Sequence, residues 1–249
     1  MDDVVTPAPL DVDAEIDRLA ARYRAAGGAV VNMLNGLGKA AEAQLDAVPD
    51  AYAARVQEVT ARALQTAALA ASSSRRMVPD QTGWVNQGIG AAMGAAGGVG
   101  GLPSAIAELP VTITWLLRVI GGEAAALGFD PAEENVRIDC IQVFASAGPL
   151  GHDDGSDLAF VSTKLAASRA IPQIVAAVAP RLSVVLGQKL AAQSVPVLGA
   201  MAGAAVNYAY TRYYAEMAHI HFALRRLAID ADIAPEEALA RLKRALPAG

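Results

Sequence analysis

The sequence predicts an all-α fold: a compact multi-helix bundle with a glycine-rich, small-residue-packed central helix pair. Three observations predict it. Alanine, the strongest helix former, supplies 56 of the 249 residues. Apolar residues recur at three- and four-residue spacing, and β-branched residues do not gather into short alternating runs. Glycines repeat every fourth position inside two long uncharged stretches. Hydrophobic residues make up 54% of the chain and charged residues 18%, a balance that excludes a disordered chain.

Residues 1–12 read as a flexible acidic tail and residues 13–249 as one domain. From Asp13, the set Ile16, Leu19, Ala20 and Tyr23 falls on one helical face, interrupted at Gly27-Gly28. Val30, Val31, Leu34 and Leu37 open a second helix that Pro49 ends. Val56, Val59, Ala63 and Leu64 mark a third, stopping near Ser72-Ser73-Ser74.

The middle of the chain has a different character. No formal charge occurs from Gln81 to Ala107. Gly90, Gly94 and Gly98 are four apart, and Gly97 and Gly101 repeat the step. On a helix this spacing makes a side-chain-free ridge that lets a second backbone approach closely. Each interior glycine costs about 1 kcal/mol of helix propensity, which tight packing must offset. Pro103 and Pro110 punctuate the run, and Ile113, Leu116, Leu117 and Ile120 carry an apolar face on to about Leu127.

Asp130-Pro131-Ala132-Glu133 reads as a helix start, with Asp130 as N-cap, Pro131 in the first helical position and Glu133 in the third. That helix takes in Val136, Ile138, Ile141 and Phe144 and stops at Gly148-Pro149. A polar loop follows at 150–156, then helices expected to break near Pro172 and Pro180. A second uncharged run of 22 residues lies between Lys189 and Arg212, with Gly199 and Gly203 four apart. Pro235 opens a last short helix. Both uncharged runs are long enough to span a bilayer, but their Gln, Asn, Pro and Gly content argues for a buried helix pair instead.

Charge narrows the function classes. The net charge is −5, and the first 18 residues hold six acids and one base. No basic stripe is present, so nucleic acid is not an expected partner. The single cysteine, Cys140, excludes an intrachain disulfide and falls on the apolar side of its helix. The N-terminus lacks the basic and apolar regions of a Sec-type signal. Enzyme fingerprints fail: Gly88-Ile89-Gly90 lacks the third glycine of a dinucleotide loop, and Gly38-Lys39-Ala40 lacks the rest of a phosphate loop. No cofactor is expected.

Candidate ligand-binding residues are few. Glu108 and Arg118 are charges inside an apolar stretch, about 80° apart on one helix. They either pair with other charges or contact a polar head group. Asn207, in the second uncharged run, must be hydrogen-bonded if buried, tying two helices together or capping a carbonyl. His221 and Arg225 share a face and, with Arg226, suit a phosphate or carboxylate, or an ion pair with acids such as Glu216. His219 and His221 point to opposite sides of a helix and cannot chelate one metal together. The loop His152-Asp153-Asp154 carries donors for acid–base or metal-assisted hydrolysis, or is a polar loop capping the next helix. Gly90, Gly94, Gly98, Gly101, Gly199 and Gly203 are the expected helix-packing positions.

Residues 189–227 carry a specific pattern: Ala192, Gln193, Val195, Pro196, Gly199 and Ala200, then Gly203 to Asn207, then Met217-Ala218 and His221, Phe222, Arg225, Arg226 and Leu227. This resembles the C-terminal signature of the EcsC protein family. The central block is similar as well, in Gly97–Gly101, Glu108-Leu109-Pro110, Arg118-Val119-Ile120 and Gly128-Phe129-Asp130. The resemblance covers a core of about 80–228, departing at Leu127, where the family often has Tyr, and at Ala228, where it often has Glu. The family's namesake is encoded beside an ABC transporter. The resemblance implies a link to membrane transport or secretion. Together with the two neutral glycine-spaced runs and the absent catalytic motifs, it leads to the expectation of a non-enzymatic accessory protein, cytoplasmic or peripheral at the inner membrane face. Its expected partners are lipid or another apolar ligand and a membrane protein such as an ABC transporter. The alternatives are a hydrolase using the 152–154 loop and an oligomeric helical scaffold.

Overall fold

The computed structural model describes residues 10–26, 50–74, 83–99, 101–145, 171–193 and 199–246. Every regular element among them is a helix: α1 (12–26), α2 (Asp50–Ser74), α3 (Gly83–Val99), α4 (Gly101–Ala126), α5 (Glu134–Phe144), α6 (Ile171–Gln193), α7 (Gly199–Asp230) and α8 (Pro235–Ala245). The helix expected over residues 30–48 and the loop at 150–156 lie outside the described residues, so the 152–154 constellation does too.

The axis of the fold is α7. Its 32 residues span about 48 Å, and from Gly203 to Arg225 none is exposed. A helix covered on all sides must be surrounded by other elements, and α3, α4, α5, α6 and α8 all pack against it. Small residues let the neighbours come near at its N-terminal end. Aromatic residues fill the middle, where Tyr210, Tyr214 and Phe222 are fully buried and Phe144 of α5 stands edge-on to Tyr214 at 5.1 Å. A second layer forms where α4 buries Leu109, Ile113, Leu116 and Ile120 and packs against α2. Each such side chain contributes about 1.5–3 kcal/mol on burial.

Burial holds the Tyr210 hydroxyl above its ordinary titration range, because the phenolate would lose its hydration. Above about pH 10 the unfolded chain releases this proton and the folded chain retains it. Stability therefore falls as pH rises past that point. Alkaline unfolding followed by circular dichroism should be shallower in Tyr210→Phe than in the parent protein.

The helices α1 and α8 both take part in the core. Asp11 caps α1 through its Oδ1, which accepts from the Ala14 amide at 3.0 Å. The acidic tail therefore gives way to helix at residue 12, within the 1–12 segment expected to be flexible. Ile16, Leu19, Ala20, Tyr23 and Ala26 are buried, as their spacing requires. Arg22 reaches Glu216 of α7 at 2.5 Å, and Asp13 accepts from Arg241 of α8 at 3.0 Å.

The prolines act differently from expectation. α3 ends at Val99 and α4 starts at Gly101, with Pro103 and Pro110 both inside α4. Pro103 is the third residue of α4, where its missing N–H has no helical partner to lose. Pro110 and Pro180 sit inside α4 and α6 without ending either helix. Both are exposed, so water can solvate backbone groups the ring frees. Pro172 is the second described residue of α6, and the residues before Ile171, where a break was expected, lie outside the described residues.

The turn at 127–133 also departs from the sequence reading. Gly128, with φ of 84°, closes α4 in a Schellman motif. The Phe129 amide donates to the Ala124 carbonyl at 3.0 Å and the Gly128 amide to the Ala125 carbonyl at 3.0 Å. Asp130 Oδ1 then accepts from the Ala132 amide at 2.8 Å, and the Asp130 carbonyl accepts from Glu133 at 3.0 Å. Asp130 caps this isolated turn. Glu133 adopts an extended conformation, so α5 begins at Glu134, later than the Pro131 start expected. The helix ends at Phe144 with Ala145 as its C-cap.

Candidate functional site

Three junctions join the central block of the chain to α7. The first is the glycine seam. Gly90 and Gly94 of α3 face α7, and a Cβ at Gly94 would lie 2.7 Å from Asn207 Cβ and nearer still to the Gly203 carbonyl oxygen. A Cβ at Gly90 would collide with Thr211 Oγ1. Because Gly94 meets residues 203–207 and Gly90 meets residues 207–211, α3 and α7 run antiparallel. The space beside Gly94 is thus taken by the Gly203 backbone and that beside Gly90 by the Thr211 side chain. Gly98, Gly101 and Gly199 lie in α3, α4 and α7, but their surroundings fall outside the described residues.

The second junction is a polar lock between α4 and α7. Glu108 Oε1 accepts from Asn207 Nδ2 at 3.0 Å and from Thr112 Oγ1 at 2.8 Å. Asn207 is 3% exposed. Its amide therefore ties two helices together, one of the two roles its sequence context allowed. Glu108 meets a neutral amide and a hydroxyl here. Arg118 is half-buried ten residues further along α4, and further up the same pair His219 Nδ1 lies 3.2 Å from Glu123. These contacts ascend both helices in the same direction, so α4 runs parallel to α7 and antiparallel to α3.

The third junction is an aromatic and ionic clasp at the 128–130 turn. Phe129 packs on Phe222 with ring centroids 5.5 Å apart, and the Arg225 guanidinium lies 4.7 Å from the Phe129 ring centroid. The same guanidinium donates to Asp139 of α5 at 2.5 Å, with His221 Nε2 3.5 Å from that carboxylate. His221 is buried, edge-on to Phe222 at 4.9 Å. The acid that meets Arg225 and His221 is thus Asp139, not Glu216, which serves Arg22. Arg226 faces solvent and is held by Asp230 one turn on, which raises its already high pKa.

All three junctions pair a residue of the central block with a residue of the C-terminal pattern: Gly94 with Gly203, Glu108 with Asn207, Phe129 with Phe222 and Arg225. Two separated sequence blocks form one continuous interface. A family model, that of the EcsC protein family, matches residues 29–227. The chain belongs to the EcsC protein family. No curated protein and no solved structure matches it significantly. In this EcsC protein, α1 and α8 lie outside the matched span, yet ion pairs join α1 to α7 through Arg22 and Glu216 and to α8 through Asp13 and Arg241.

The six sequence candidates do not form one pocket. Glu108 and Asn207 are together, His221 and Arg225 are together, and Arg226, near Gly128 at the edge of the clasp, pairs with Asp230 instead. His219 and His221 meet acids on different helices, Glu123 and Asp139. Among the described residues, no group of three His, Cys, Asp or Glu side chains is placed to hold a metal ion. Asp139, Thr112 and Glu123 were not singled out from sequence. Each is an ordinary polar residue on an amphipathic helix, and only the pairing of the helices reveals its partner.

Exposed apolar residues form a separate group. Trp84 is 77% exposed and Ile89 37%, both on α3. Val111, 58% exposed, stands on α4 at a similar height, since Glu108 of α4 and Gly94 of α3 both meet Asn207. Among the described residues, no helix is long and apolar enough to cross a membrane.

Proposed function

We propose that this EcsC protein is a non-enzymatic accessory protein of membrane transport or secretion machinery. It works peripherally at the inner face of a membrane and binds lipid or another apolar ligand there. The observation that carries the reading is the uncharged, outward-facing side of α3 with its exposed Trp84 and Ile89. Large apolar side chains held in water on a charge-free helix mark a surface that meets a less polar medium. The polar residues of the family pattern support the same reading, because Glu108, Asn207, Asp139 and Arg225 are engaged in holding helices together. The transporter neighbourhood of the family's namesake supports the setting. Purified protein should sediment with liposomes and carry lipid detectable by mass spectrometry after extraction. Protein that stays in the supernatant and carries no lipid overturns the proposal.

A further inference from the structure

α3 has two unlike sides. One carries Gly90 and Gly94 and is closed against α7. The other presents Trp84, Gly88, Ala92 and Ala96 at four-residue spacing, with Ile89 beside them, all exposed. These positions sweep an arc of about 140° along a helix about 25 Å long. Nothing lies within 4 Å of a Cβ built at Gly88, so the arc opens directly to solvent.

The chemistry of the arc selects its partner. A protein interface surrounds its apolar centre with a polar rim that fixes orientation. The exposed positions of the arc carry no charge, and the indole N–H is their one side-chain hydrogen-bond donor. An indole is instead well matched to the bilayer interface, where its ring meets acyl chains and its N–H meets head groups or water. Arg225 and Arg226 are engaged with Asp139 and Asp230, so electrostatic capture of an anionic head group is not built into this face.

Resting on the membrane-surface reading above, we infer that the outward arc of α3 is itself the lipid contact. It lies in the bilayer interface on Trp84 and Ile89 and recognises exposed acyl chains rather than head-group charge. A helix that lacks cationic residues gains its affinity from apolar burial, so binding follows lipid packing and curvature. It is also insensitive to salt, because no screened interaction contributes.

The chain's two tryptophans make the test direct, since Trp84 is exposed and the Trp115 indole nitrogen is buried. In the Trp115→Phe protein, small phosphatidylcholine vesicles should shift Trp84 emission to shorter wavelength, and brominated acyl chains should quench it. Large, flat vesicles of the same lipid should do so weakly. In the Trp84→Phe protein, Trp115 emission should stay unchanged. The double variant Trp84→Ser, Ile89→Ser, with its helical circular dichroism intact, should partition at least tenfold more weakly. Vesicle binding that leaves Trp84 emission unchanged overturns the assignment of the surface while leaving the proposed function standing. Binding that requires anionic lipid and disappears in high salt overturns the recognition rule. A Trp84 shift that follows protein concentration without vesicles assigns the arc to a second copy of the chain and overturns the lipid contact. No vesicle binding of any kind overturns both proposals.

Discussion

Gly94→Ala should destabilise the protein by about 2–3 kcal/mol, while Gly88→Ala on the same helix should stabilise it by about 1 kcal/mol. Intrinsic propensity favours alanine equally at both sites, by about 1 kcal/mol. What separates them is the space for one methyl group. At Gly88 nothing lies within 4 Å of the new carbon. At Gly94 the carbon falls against the Gly203 carbonyl and within 2.7 Å of Asn207 Cβ. Neither obstacle can rotate away, so α3 must retreat from α7, and overpacking of this kind costs about 1–3 kcal/mol or more. The retreat also strains the neighbouring hydrogen bond from Asn207 to Glu108. Urea unfolding of the two variants side by side checks the result. Equal effects at both positions would show that the α3–α7 approach is not tight.

Asp139→Ala should cost about 2–3 kcal/mol. The carboxylate is 16% exposed and its partner Arg225 29%, so solvent screens the pair only in part. Removing one member of a desolvated pair leaves the other charge without compensation, a loss of about 3–5 kcal/mol at full burial and less here. Arg225 keeps its place over Phe129, which limits the loss further. Asp139→Asn should recover part of the difference, since a neutral acceptor can still receive the guanidinium hydrogen bond. Denaturation midpoints order the three proteins: parent, then Asn, then Ala. An alanine variant as stable as the parent would place Arg225 and Asp139 in bulk-like water.

Sequence periodicity exposed much of this architecture. Ile16, Leu19, Ala20 and Tyr23 are buried because a 3.6-residue repeat leaves one face for the core. The four-residue glycine spacing announced a close helix contact, which Gly90 and Gly94 make with α7. Prolines misled where their setting mattered more than their identity. Pro110 and Pro180 are exposed within continuous helices, and exposure is a property of the assembled fold rather than of the local chain. The clasp was half legible. His221 and Arg225 stand out by their shared face, but Asp139 lies 86 residues from Arg225 along the chain and has no local pattern that names it. The exposed arc of α3 went unread for a related reason. An uncharged run of glycine, alanine and isolated large residues looks the same whether one side or both sides are covered, and only the position of α7 tells which.

The central place of α7 has a consequence for biosynthesis. A ribosome delivers α3 through α6 before the helix they pack against, because α7 occupies residues 199–230. At about 5–20 residues per second, the walls wait on the order of ten seconds for their centre. Through that interval the ridge of Gly90 and Gly94 lacks the helix it fits. Surface left uncovered during synthesis in this way is what chaperones shield in general.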